Sequence, residues 1–98
     1  MKKLHSIFTD DLSTCIITGY SGGVELHHVY AGARKALCEK YGFIAPLRQD
    51  IHPNGAHCTW NEDIAEIDNY LKCKCQEWYE ENIGTREDFI KEFGKGYL

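Results

Sequence analysis

The residues best equipped for chemistry in this chain are histidines. Four of the five fall in two short clusters, His27-His28 within VELHHVYAG and His52-x4-His57 within IHPNGAH. A neutral imidazole ligates transition metals, and histidine, with a pKa near ~6.5 in water, also exchanges protons around neutral pH. Two short clusters separated by residues 29–51 suit a single ion assembled by folding. A plainer alternative stays open, in which His52 is a turn residue of IHPNG and His57 caps or flanks a helix. Neighbouring residues on a strand face opposite ways, so His27 and His28 cannot be equivalent ligands unless the strand ends there.

Short elements must position these clusters. Cys15-Ile16-Ile17 and Val24-Glu25-Leu26 flank the turn-rich TGYSGG, which predicts a hairpin with His27 and His28 just past its second strand. Ala33, Leu37 and Tyr41 recur at four-residue spacing and run into Gly42, predicting a helix with a glycine stop. Phe43 to Leu47 is an apolar run with Pro46 inside it, the pattern of an edge or terminating strand. Thr59-x-x-Glu62 has the form of a capping box, and Ile64, Ile67, Leu71, Cys75 and Trp78 follow at spacings of three and four. That predicts one long amphipathic helix beginning near Thr59. After Gly84, Thr85-Arg86-Glu87-Asp88 offers a cap for a short C-terminal helix carrying Phe89, Ile90 and Phe93 and ending at Gly94. Trp60, Tyr70, Trp78, Tyr79, Phe89 and Phe93 are expected to cement these helices.

The expected class is α+β, with residues 1–98 forming one domain. A chain of this length buries only roughly 60–65 % of the surface exposed when unfolded, so its core is small. Hydrophobic residues at 43 % and charged residues at 27 % are too mixed for a disordered chain. No segment reaches the ~18 apolar residues of a membrane span, and MKKLHSIFTDD lacks a long apolar run, so no membrane association and a cytoplasmic location are expected. Cys15, Cys38, Cys58, Cys73 and Cys75 are odd in number and show no secreted-framework spacing, so most are expected to be free thiols. A net charge of −4 lacks the basic footprint of a typical nucleic-acid binder and weighs against DNA, although a local basic patch remains compatible with it.

The order of elements around the histidines narrows the choice. A strand ending in Leu26-His27-His28-Val29 is followed by Ala33-Arg34-Lys35, Glu39-Lys40-Tyr41-Gly42 and Pro46-Leu47, then by His52 through Gly55-Ala56-His57. The tail carries Thr85-Arg86-Glu87-Asp88-Phe89-Ile90 and Phe93-Gly94-Lys95-Gly96-Tyr97-Leu98. In this order the stretches resemble small phage-encoded HNH-like, or ββα-metal, proteins related to the phage recombination-enhancement nuclease. The likeness covers nearly the whole chain after Cys15, and implies a ββα-metal core extended by the long helix and the short C-terminal helix. Relatives of that kind carry a zinc knuckle, a C-x2-C before the His-His and a C-x2-[CH] after the Pro-Leu strand. This chain keeps only Cys15, with Thr18, Arg48 and Ile51 at the other three positions. A structural zinc needs about four ligands, so none is expected, and Ile16, Ile17 and Ile51 are expected to brace the region by packing.

The resemblance also implies unequal roles for the adjacent pair. His27, His52 and His57 would bind one divalent ion, and His28 would act as general base on water. Arg34 would position phosphate at the reaction centre, and Arg34, Lys35 and Arg48 would contact nucleic acid, although a solvated basic surface explains them equally well. Asn54 holds the turn in this reading, or is simply part of the good turn sequence Pro-Asn-Gly. Three imidazoles accept Zn²⁺, Ni²⁺ or Mn²⁺ and suit Mg²⁺ less, so the ion is not specified. The implied activity is a metal-dependent DNA endonuclease or nickase, phage or prophage encoded, that processes or recombines DNA in a bacterial host cell. The alternative is a catalytically silent HNH-like scaffold that binds a protein or nucleic-acid partner.

Overall fold

The computed structural model describes residues 4–30, 32–53 and 60–98. The chain is mixed α+β, with a two-stranded antiparallel sheet and three α-helices among the described residues. Strand β1 (Val24–His28) pairs with β2 (Ile44–Arg48), and helix α1 (Lys35–Tyr41) lies between them in sequence, preceded by a 3-10 turn over Gly32–Arg34. A second 3-10 turn at Gln49–Ile51 follows β2, and helices α2 (Glu62–Asn82) and α3 (Arg86–Phe93) complete the order. No helix among the described residues is long and apolar enough to cross a membrane.

The partner of β1 differs from the sequence expectation. Cys15 to Ile17 form no strand, because the segment closes on itself: Gly19 N–H donates to the Cys15 carbonyl, and Cys15 N–H donates to the Tyr20 carbonyl. Ile16 N–H reaches the Pro46 carbonyl at 3.1 Å, so the segment covers the outer edge of β2. Further along that edge Ile7 N–H donates to the Gly42 carbonyl and the Ser6 hydroxyl to the Ile44 carbonyl. Pro46 sits opposite Leu26, and its carbonyl faces away from β1. The N–H that proline lacks would point the same way, so the ladder loses no bond. His27 and His28 are not past the strand but are its last two residues, opposite Ala45 and Ile44.

The three helices follow local rules. Gly42 ends α1 with φ 81°, and a Cβ there would also stand 2.7 Å from the His5 ring, so glycine is required twice over. Helix α2 begins at Glu62, with Asn61 as its cap accepting from Ile64 N–H; Thr59 lies outside the described residues. Ile64, Leu71 and Cys75 are buried, and Ile67 and Trp78 pack against the core from partly buried positions. Thr85 and Asp88 form a reciprocal capping box at the start of α3, and Gly94 closes it with φ 88°.

The centre of the core is aromatic. Tyr30, Tyr41, Phe43, Tyr79, Phe89 and Phe93 are buried, and their rings meet at centroid distances from 4.6 Å for Phe89–Phe93 to 6.3 Å for Tyr79–Phe93. Trp60 and Tyr70, expected among them, are 54 % and 50 % exposed. Glu92 of α3 accepts hydroxyl hydrogen bonds from Tyr41 of α1 and Tyr79 of α2, so one carboxylate ties the three helices together. The C-terminal segment is pinned to α2, where buried Gln76 accepts from Tyr97 N–H and the Cys73 thiol donates to the Tyr97 carbonyl. Cys15 belongs to the core and accepts from Thr18 N–H at 3.4 Å. Ile16 and Ile51 pack against that core as expected of the bracing residues, whereas Ile17 is 42 % exposed.

Phe89 is fully buried and Ile90 beside it is 40 % exposed. Phe89→Ala should therefore cost about 3–5 kcal/mol in chemical denaturation, and Ile90→Ala well under about 1 kcal/mol. Equal losses would contradict the packing of α3 on α2.

Candidate functional site

The last turn of the strand ladder sets the histidines. His27 is 5 % exposed, opposite the small residue Ala45, whereas His28 is only partly buried. His52 leaves the 3-10 turn after β2 in extended conformation and brings its ring edge against that of His27, with centroids 4.9 Å apart and planes at 70°. Glu25 lies two residues before His27 and so shares its strand face. Its Oε1 is 2.6 Å from Nδ1 of His52, which leaves Nε2 of His52 outside that contact. His28 is held differently: its Nε2 meets Oε2 of Glu39, from α1, at 3.1 Å.

Nε2 of His27 is buried and has no hydrogen-bond partner among the described residues. The nearest acidic atom recorded is Oδ1 of Asp68 on α2, at 3.9 Å, beyond hydrogen-bond range. Oδ2 of the same carboxylate pairs with Nζ of Lys72 at 2.9 Å. Burial, then the neighbouring charges of His52, Lys72 and His28, pull the His27 imidazole down to about 3, so it is neutral at physiological pH. A cleft of about 340 Å³ opens here, lined by Leu26, His27, His28, Gly32, Lys35, His52 and Pro53.

His27, His28, His52 and Lys35 thus come together on one cleft. Arg34 does not line it: its guanidinium lies against Gly94, where an added Cβ would come within 2.6 Å of Nη2, at the C-terminus of α3. A cation is favoured at that helix end. Arg48 forms a two-pronged pair with Asp50, Nε–Oδ1 at 2.6 Å and Nη2–Oδ2 at 2.9 Å. His57 and Asn54 lie outside the described residues. Among the described residues, no three His, Cys, Asp or Glu side chains are gathered closely enough to hold an ion.

Sequence reasoning assigned no site role to Glu25, Glu39 or Asp68. The face shared by Glu25 and His27 was readable from their two-residue spacing, and the Asp68–Lys72 pair from its i,i+4 spacing. Nothing local marks Glu39, eleven residues from His28, as its partner.

A histidine whose folded pKa is depressed lowers stability as pH falls. Between about 6.5 and about 3 the unfolded chain takes up a proton that folded His27 refuses. In chelator-containing buffer, the melting temperature should fall more steeply from pH 7 to pH 5 for the wild type than for His27→Gln. Parallel curves would show that His27 is not held neutral.

Comparison with known proteins returns no matching family model, no matching curated protein and no matching solved structure.

Proposed function

We propose that this chain is a metal-dependent nuclease of the HNH, or ββα-metal, type that hydrolyses DNA phosphodiesters as an endonuclease or nickase in DNA processing or recombination. The observation that carries this reading is the buried Nε2 of His27, without a hydrogen-bond partner among the described residues and edge to face with His52 on an open cleft. Leaving a buried polar atom unpaired costs about 1–3 kcal/mol, a cost that a bound ion removes. Two of the donors suit a metal ion. His27 is neutral with its Nε2 unpartnered among the described residues, and His52 is braced through Nδ1 by Glu25, as metal-binding histidines commonly are by a carboxylate. His57 is the third ligand in this reading. The order β1, β2, α2 around the histidines also supports it.

A divalent ion held there supplies charge stabilisation at the scissile phosphate and its leaving oxygen. The chain's own residues do the rest. His28, with Nε2 against Glu39, keeps Nδ1 to take a proton from the attacking water. Lys35 on the cleft wall contacts a phosphate oxygen, while Arg34 and Arg48 are engaged elsewhere. Imidazole donors suit Zn²⁺, Ni²⁺ or Mn²⁺ better than Mg²⁺.

The silent-scaffold reading draws support from the acidic surface of α2. Glu62, Asp63, Glu66, Glu77 and Glu81 are exposed along α2, which suits a basic partner better than DNA. Supercoiled-plasmid nicking with each divalent ion separates the two. Removing His28 should lower the rate by about 10²–10⁴-fold while leaving metal affinity intact, and Lys35→Ala should weaken DNA binding. A wild-type protein that binds no divalent ion and cuts nothing is the silent scaffold. Full activity in His28→Ala would remove His28 as the base.

A further inference from the structure

We propose that a groove between the N-terminal segment and α2 is a docking site for an arginine- or lysine-rich segment of a partner protein, one of whose cationic side chains lies along the groove. The groove has a volume of about 240 Å³ and shares no residue with the histidine cleft, so the inference stands whether or not that cleft cuts DNA. Ile7 and Phe8 line it from the N-terminal segment, which is tied down where Ile7 N–H donates to the Gly42 carbonyl and the Ser6 hydroxyl to the Ile44 carbonyl. Helix α2 contributes Tyr70 and Trp78, together with Lys74, Glu77 and Glu81. Trp78 is held edge-on against Phe43 at 5.7 Å, whereas Tyr70 is 50 % exposed. An apolar lining beside carboxylates fits a long side chain with an alkyl stem and a cationic end.

Lys74 shows what the groove receives. Its ammonium lies 5.7 Å from the centroid of the Tyr70 ring and 3.3 Å from Oε2 of Glu77, the two contacts an incoming cation would make. Both partners of the Lys74–Glu77 pair are exposed, and such a pair contributes little, so a cation of the partner protein can replace Lys74. Glu81 has no ion pair among the described residues. Asp63 and Glu66 extend the same helical face, exposed at spacings of three and four ahead of Tyr70. Four carboxylates therefore flank one lysine along this stripe. A stripe of that sign repels DNA and a second copy presenting the same face, and attracts a basic segment.

Fluorescence anisotropy of a labelled peptide of alternating arginine and leucine tests the site on the full chain. The wild type should bind it, more weakly as salt rises, and should not bind the same peptide with glutamate in place of arginine. Glu77→Gln combined with Glu81→Gln should weaken binding by about 3–10-fold, and Tyr70→Ala by about 2–5-fold. Lys74→Gln should strengthen it, because the resident cation no longer competes for Glu77 and the Tyr70 ring. Glu62→Gln combined with Glu87→Gln removes the same charge from exposed positions outside the groove and should leave the affinity within about twofold. In proton–nitrogen NMR the Trp78 indole N–H should shift as peptide is added. A wild type that binds no peptide, or binds it with Trp78 unmoved, overturns the site. An equal loss in the Glu62 and Glu87 variant reduces the binding to the general attraction of an acidic chain and overturns it too. A concentration-dependent dimer in sedimentation that Tyr70→Ala dissolves assigns the groove to a second copy and overturns the basic partner. None of these outcomes bears on metal binding at His27.

Discussion

Tyr30 is the fixed point on which the rest of the structure depends. It lies two residues past the end of β1 and is 3 % exposed, with its ring against Phe43, Phe89, Phe93 and Tyr97. Its backbone N–H donates to the Cys38 sulfur of α1, and the Cys38 thiol donates back to its carbonyl. Its hydroxyl reaches the Lys72 carbonyl of α2. Burial pushes the phenol well above its ordinary pKa, so it stays a donor. A two-stranded sheet is marginal alone in water. Here one residue, through its backbone and its ring, attaches the end of the sheet to all three helices.

That attachment sets the chemistry two to three residues upstream. Because Tyr30 seats the 68–72 turn of α2 beside the end of β1, Asp68 faces His27 across a fixed gap. The β1–β2 register puts Ala45 opposite His27, and Glu25 on the same strand face holds His52. His28, on the other side of the strand, is taken by Glu39 of α1. The two adjacent histidines therefore have different surroundings, a buried nitrogen with no partner among the described residues in one case and a carboxylate-held ring in the other. This difference supports the proposed division into ligand and base.

The helices were legible because their signals are local. Gly42, Thr85-x-x-Asp88 and Gly94 state where α1 stops and where α3 starts and stops, and the three-and-four spacing from Ile64 to Trp78 names the inner face of α2. Strand pairing is non-local, and there the reading went astray. Cys15-Ile16-Ile17 has strand composition but spends its hydrogen bonds on its own turn and on the outer edge of β2. Trp60 and Tyr70 are aromatic yet exposed, because Trp60 precedes the Asn61 cap and α2 turns Tyr70 away from its buried face. Of the candidate ligands, His27 and His52 do meet, and His57 lies outside the described residues. Glu39, which holds His28, and Asp68, which faces His27, could not be picked from fifteen acidic residues by spacing alone, since they come from separate helices.

The central claim is that the buried Nε2 of His27, which has no partner among the described residues, belongs to a metal. Long-range proton–nitrogen NMR of the histidine rings during a Zn²⁺ titration reads that atom directly. The account predicts that Nε2 of His27 and a ring nitrogen of His52 shift together and saturate at a stoichiometric amount of ion, with exposed His5 unaffected. A response confined to His5, with His27 unchanged in excess Zn²⁺, would contradict it.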